Sequence, residues 1–327
     1  MWSDMARLEW VVVSSVVIGI AFPYHLPSED AHRTVRMLDD LGARSLWVYE
    51  NPRDLGAFAI AGACQALTRH VTVSVGTVNW YTRTPETIAM ESLAAAHVGS
   101  RPVRVGLSAG SQREAADLEV DYRPLAAIAE YIERIRNFEL VPSVAYESMQ
   151  EGPELYIGAI GPKMLSLCAR AADGLLISMH APPGFISEAR SQLERDALAV
   201  GRRTPRVAAY VHVVTAHDLA AAKSKAKTEV ARTLRRVGDS PALRRLFGAV
   251  EGDLVEAYVH AVDRLRSSES PTAAVPDDLL DALVVWGDED EAIRKLDQYS
   301  SAGADELILV SPSMTPSEYR GLLSTAL

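Results

Sequence analysis

Cysteine is scarce in this chain: its 327 residues hold two, Cys64 and Cys168, each within a stretch that reads as helix. Neither a disulfide framework nor a cysteine-based metal site fits that count, and a reducing cytoplasm is the setting it suggests. Positive charge is also in deficit, with 33 Lys and Arg against 43 Asp and Glu and a net charge of -10. A surface that neutralises phosphate backbones needs clustered Lys and Arg, so nucleic acid is not an expected partner. No apolar run is long enough to span a bilayer. Trp10–Phe22 follows Arg7 as the core of a signal peptide would. It lacks a small-residue cleavage site, and its second half reads as a buried strand ending at Pro23. Residues 1–14 therefore read as an extension, and 15–327 as one domain with no membrane span. No HExxH pair, serine elbow or Walker loop is read in the sequence, which leaves hydrolytic and nucleotide-triphosphate chemistry without support; no metal site is expected.

What is present is a repeated alternation of short apolar runs and longer helical patterns. The runs are Val16–Phe22, Ser45–Glu50, Val71–Val78, Val103–Ser108, Glu154–Ala159, Gly174–Ser178, Arg206–Val214 and Glu306–Val310. They are continuous rather than alternating, as in parallel strands covered on both faces. Helical patterns lie between them at Glu29–Leu41, Ala57–Leu67, Pro85–Val98, Pro124–Phe138, Pro162–Ala171 and Gly184–Val200, with a last one from Pro316. The final gap adds Leu219–Val237, Pro241–Ser267 and Glu289–Ala302, so extra helices decorate the fold between the seventh and eighth strands. Ser267–Pro276 reads as its most mobile loop. Two architectures fit, a closed (β/α)8 TIM barrel and an open doubly wound sheet. An open sheet would carry a Gly-rich loop after its first strand, where this chain has Pro23-Tyr24-His25-Leu26-Pro27. The barrel is the expected fold.

In such barrels the chemistry sits at the carboxyl ends of the strands. The fifth turn, Gly158-Ala159-Ile160-Gly161-Pro162-Lys163, puts Pro162 where a first helical residue belongs. Free N–H groups, the helix dipole and Lys163 would then face an anion such as a phosphate. The plain alternative is a tight turn with a surface lysine. Glu50 ends an apolar strand and either holds or protonates a polar ligand, or is a structural partner of Arg53 or Arg83. Gly76-Thr77-Val78-Asn79-Trp80-Tyr81 gathers aromatic and amide groups that suit a planar cofactor ring, or that simply pack a loop. His25 and His180 are the two rim histidines and candidate proton donors, against the ordinary reading of each as structural.

Taken together, Ser45–Asp54 (SLWVYENPRD), Val71–Ala89, Arg104–Gly110 (RVGLSAG), Leu155–Leu176 and Gly287–Val310 resemble the luciferase-like flavin-dependent oxidoreductase superfamily over residues 16–311. The resemblance is strongest to the branch that includes the methylenetetrahydromethanopterin reductases, whose cofactor is the deazaflavin coenzyme F420. It implies a deazaflavin over the strand ends, with its phosphate at Gly161–Lys163. It also implies a non-prolyl cis peptide behind the ring, at Gly76-Thr77 or Thr77-Val78. The cofactor-binding set it suggests is Asn51, Gly76, Thr77, Val78, Asn79, Ser108, Gly110, Ala159, Ile160, Gly161, Pro162 and Lys163. Asn51 stands where sugar- and alcohol-oxidising relatives carry His, and Thr84 and Trp80 replace the usual His and Pro, so the substrate has changed. The implied reaction is hydride transfer from reduced F420 to a C=C or C=N bond of a small molecule or modified peptide, with Glu50, His25 or His180 supplying the proton. An FMN-dependent monooxygenase and a non-catalytic cofactor binder are the alternatives. A cytoplasmic homodimer is the expected state.

Overall fold

The computed structural model describes residues 16–50, 55–99, 101–140, 152–248 and 253–326. Its strands are β1 (Val17–Ala21), β2 (Ser45–Val48), β3 (Thr72–Asn79), β4 (Arg104–Ser108), β5 (Glu154–Gly158), β6 (Gly174–Ile177), β7 (Arg206–Thr215), β8 (Val285–Gly287) and β9 (Glu306–Val310). All pair in parallel, and the β6–β7 and β1–β9 pairings close eight of them into a ring that omits β8. This is the expected TIM barrel, with helices on its outside. The residues read as an amino-terminal extension lie outside the described ones.

Side chains of neighbouring strands fill the barrel, large against small. Trp47, Tyr156, Leu176, Tyr210 and Ile308 form one inner cluster. Glycines face them: a Cβ on Gly76 would come within 2.8 Å of both Leu176 and Trp47, and one on Gly106 within 2.9 Å of Leu176. At the amino end lies a buried ion pair, Arg104 with Glu306. Arg104 Nε donates to Ser74 Oγ at 2.9 Å, while Ser45 Oγ and Trp47 Nε1 donate to Glu306 Oε1 at 2.6 and 2.5 Å. Burying such a pair is tolerable only when hydrogen bonds support both charges, and here each guanidinium nitrogen and each carboxylate oxygen has a partner.

The region between β7 and β9 departs most from expectation. A ninth strand, β8, pairs with Val213–Thr215 at the end of β7. The single helix expected over Pro241–Ser267 is two, Pro241–Phe247 and Leu254–Arg266. The segment Ser267–Pro276 carries a helical turn, Pro271–Ala274, with Ala274 and Val275 fully buried, so its loop-like composition conceals a packed element. The preceding helix, Leu219–Val237, starts where Asp218 accepts from the N–H groups of Ala220 and Ala221. Its carboxyl half crosses the mouth of the barrel. Short helices Gln112–Asp117 and Asp277–Leu283 were also not expected.

Candidate functional site

A cavity of about 610 Å³ opens at the carboxyl ends of the strands, roofed by Arg236 and Ala242 from the insertion. Leu176 and Tyr210 of the inner cluster form its floor. One wall is the Gly76-Thr77 peptide, which is cis. The register of β3 on β4 shifts there, between Gly76 and Val78, so that Asn79 comes to pair with Ser108. The Tyr210 hydroxyl, buried in the barrel, donates to the Gly76 carbonyl and fixes its direction. A Cβ on Gly158 would lie 2.7 Å from Thr77 Cγ2, so the opposite wall also depends on a missing side chain.

Ala159, Ile160, Gly161 and Met164 carry that wall to the start of the helix Pro162–Ala171. Pro162 has no N–H, and the Met164 and Leu165 N–H groups bond the Gly161 carbonyl. Lys163 therefore brings the helix's first backbone donor. Pro162 and the Lys163 side chain are exposed and lie outside the cavity lining.

Glu50 lines the cavity, but both its oxygens are engaged. One forms an ion pair with Arg83 and the other accepts from the Ala57 N–H at 3.0 Å, at the start of the helix Ala57–Leu67. Arg83 itself is wedged 5.3 Å above the Phe58 ring. This is the structural pairing that the sequence left open as an alternative. Asn51 lies outside the described residues.

Around the rim of β3 and β4 runs a polar chain. Ser108 Oγ donates to Asn79 Oδ1 at 2.5 Å, Asn79 Nδ2 donates to the Tyr81 hydroxyl at 3.2 Å, and that hydroxyl donates to Glu114 at 2.8 Å. Burial, with the Glu114 charge behind it, pushes the Tyr81 hydroxyl up to about 12. Gly110 adopts φ 63° against the Tyr81 ring. Ser108 and Gly110 line the cavity; Asn79 supports Ser108, and Val78 is buried away from it. Trp80 packs edge-on against Tyr81 and Tyr131 instead of lining the cavity. The expectation of no serine elbow needs correcting on spacing, because Gly106-Leu107-Ser108-Ala109-Gly110 matches G-x-S-x-G. Ser108 bonds Asn79 and no histidine, so it is wired as a rim residue.

A second recess of about 310 Å³ adjoins the cavity and shares Tyr49, Met179, Arg236 and Val310 with it. Both expected histidines line it. His25 Nε2 donates to the Met314 carbonyl at 2.7 Å. His180, at φ 70°, sets Nδ1 3.3 Å from the Leu283 carbonyl, and burial pulls its pKa down to about 4. His212 of β7 stands 5.4 Å from it, ring to ring, and burial followed by the His180 neighbour pulls it down to about 3. His212, Tyr210, Arg236 and Ser311 were not anticipated. The signal for His212 was present, a polar residue inside an otherwise apolar run; Arg236 gave none, because only packing of the insertion brings it to the mouth.

Among the described residues no cluster of three His, Cys, Asp or Glu could hold a metal ion, and no helix is long and apolar enough to cross a membrane.

The profile of the luciferase-like monooxygenase family matches residues 16–306. A 5,10-methylenetetrahydromethanopterin reductase of Archaeoglobus fulgidus is 23% identical over 312 residues, covering 90% of this chain and 93% of the relative. Among solved structures, the coenzyme F420 dependent tetrahydromethanopterin reductase of Methanopyrus kandleri superposes with a TM-score of 0.77 at 19% identity, over 95% of this chain and 97% of that one. The oxygenating constituent of 3,6-diketocamphane monooxygenase from Pseudomonas putida, in complex with FMN, reaches 0.69 at 14% identity, over 95% and 96%.

Proposed function

Because the chain belongs to the luciferase-like monooxygenase family, we propose that it is an oxidoreductase that holds coenzyme F420 over the strand ends and reduces a C=C or C=N bond of a small molecule or modified peptide. The observation that carries this reading is the wall made by Gly76, Thr77 and Gly158, a face without bulky side chains beside an apolar floor. A planar ring system needs such a slot, and a cavity of about 610 Å³ has room for one. Gly161 at the helix start suits an anionic group at the far end of the same ligand. Solved structures named for F420 favour the deazaflavin over FMN. When bound and reduced, that cofactor supplies a hydride.

The chain's own residues supply position and a proton. Tyr210 holds the Gly76 carbonyl, and the Asn79–Ser108 pair fixes the rim. Glu50, committed to Arg83 and Ala57, serves better as a positioning anion than as an acid. His180 is buried and neutral, with its one ring proton directed at Leu283. His25 is the proton donor in this reading: it lines the recess, is exposed to solvent, and its Nε2 bond to the Met314 carbonyl orients the ring, so that its Nδ1 is the atom that would pass a proton from water to the substrate. Two free, buried cysteines suit a cytoplasmic enzyme, and a homodimer remains part of this reading.

Titrating the purified protein with F420 and with FMN tests the cofactor. F420 should bind at least about tenfold tighter, a gap of about 1.4 kcal/mol, and the reduced cofactor should regain the absorbance band of its oxidised form anaerobically on turnover. Tighter binding of FMN, with oxygen uptake when FMN is reduced, would overturn the reading in favour of a monooxygenase.

A further inference from the structure

Three side chains from three strands meet in the smaller recess with polar atoms that no described residue satisfies. They are His180 after β6, His212 in β7 and Ser311 directly after β9, only 6%, 3% and 4% exposed. Among the described residues His180 Nε2, both ring nitrogens of His212 and Ser311 Oγ have no hydrogen-bond partner. A buried polar atom left unpaired loses its hydration with nothing in return, so several gathered in one recess point to a ligand that pairs them.

We propose that this recess recognises an uncharged amide-type group of the substrate, a planar unit with an N–H donor beside a carbonyl acceptor, through His180 Nε2, the His212 ring and Ser311 Oγ. The proposal rests on the reading of the larger cavity as the cofactor site only in assigning the neighbouring recess to the substrate.

The donor and acceptor pattern follows from geometry. Leu283 offers His180 a carbonyl, which can only accept, so Nδ1 carries the proton and Nε2 is left with a lone pair. That atom needs a donor from the ligand. His212, neutral because it is buried, offers one donor and one acceptor. A carboxylate or phosphate has acceptors alone and would set negative charge against the His180 lone pair. An ammonium could donate but could not accept from His212, and it would meet the guanidinium groups of Arg232 and Arg236 in the same recess. The Arg232 charge is already answered by Glu229 at 2.8 Å, so Arg236 is the guanidinium whose pull on an anion is weighed against that lone pair. A single hydroxyl could donate and accept, but one atom cannot reach side chains on three strands; an amide spreads its donors and acceptor over two.

Benzamide, benzoate and benzyl alcohol are suitable probes, because they share a ring and differ in the polar group. With histidine labelled with nitrogen-15, the ring shifts of His180 and His212 should move on adding millimolar benzamide, and benzamide should bind about tenfold tighter than either other probe. Ser311→Ala, a small change that spares the core, should weaken benzamide about fivefold. His212→Phe should abolish its binding, with circular dichroism checking the fold. Equal or tighter binding of benzoate or benzyl alcohol overturns the proposal, as does benzamide binding that leaves both ring signals unmoved. F420 titration of the same protein reads the cofactor assignment separately, so either claim can fail alone.

Discussion

At the amino end of the barrel, Arg104 and Glu306 bury two full charges whose atoms meet each other, Ser45, Ser74 and Trp47. At the carboxyl end, His180, His212 and Ser311 bury only neutral groups, and those groups stay largely unmet. The two ends share strands and a comparable depth of burial. What separates them is partnership: polar atoms that close on one another stabilise a fold, while atoms left open are available to a ligand. The first end should therefore govern stability with little effect on binding, and the second should do the reverse.

The strongest test of that division is Glu306→Gln. It leaves the Arg104 guanidinium in the core without its counter-charge and should lower unfolding free energy by about 3–5 kcal/mol in urea titration. Cofactor affinity of the protein that remains folded should stay within about twofold, well under the tenfold step of 1.4 kcal/mol. Replacing both partners with Met should recover much of the loss, since apolar substitutes of similar volume need no counter-charge. If the double variant is as unstable as the single one, the pair does more than neutralise itself.

How far the sequence exposes each end follows from the range of the forces involved. Barrel strands are legible because parallel strands covered on both faces must be continuously apolar, as at Val71–Val78 and Glu306–Val310. Strand β8 is not, because three residues inside a helical insertion gain strand geometry only by pairing with the end of β7. Pro271–Ala274 is hidden for a related reason: Ser, Glu and Pro around it signal a loop, while the burial of Ala274 and Val275 is decided by tertiary contacts. In the site, Gly158 and Gly161 stand out as a turn before a helix. The other function of Gly158, clearing space for Thr77, depends on a neighbouring strand and leaves no local mark. The same holds for Glu50, whose choice of Arg83 is a matter of packing.

Acid should attack the open end first. Burial holds His180 at about 4 and His212 at about 3, below the value near 6.5 of an unfolded chain. The unfolded state therefore takes up protons that the folded state refuses, so stability is intact above that value and falls as pH drops toward the folded pKa values. Each histidine should contribute a loss of about 2 kcal/mol between pH 7 and pH 5. His212→Phe should remove about half of that pH dependence, read from urea midpoints at the two pH values. An unchanged slope would show that the imidazole is not shielded from protons.

Gly158→Ala probes the open end without touching charge. The new methyl would press to 2.7 Å from Thr77 Cγ2 across the cavity wall. Overpacking of this kind costs about 1–3 kcal/mol of stability, and the part not relieved by movement of Thr77 narrows the slot. F420 affinity should fall by about tenfold or more, while urea unfolding shifts less than in Glu306→Gln. Affinity retained alongside lost stability would mean that the wall yields and the cavity does not depend on it.

The smallest effect expected is the most instructive about charge. Arg134 bridges Glu86 at 2.6 Å and Glu130 at 3.0 Å, contacts about as short as those of Arg104, yet its side chain is 46% exposed. Water solvates those charges nearly as well as their partners do, and salt screens what attraction is left. Arg134→Ala should leave the urea midpoint unchanged within error, at low and at high ionic strength alike. Distance is thus matched between the two sites while burial differs, and so is the number of acidic partners biased in favour of the surface. If Arg134→Ala approached the effect of Glu306→Gln, proximity of charge rather than its removal from water would be what holds the amino end of the barrel together.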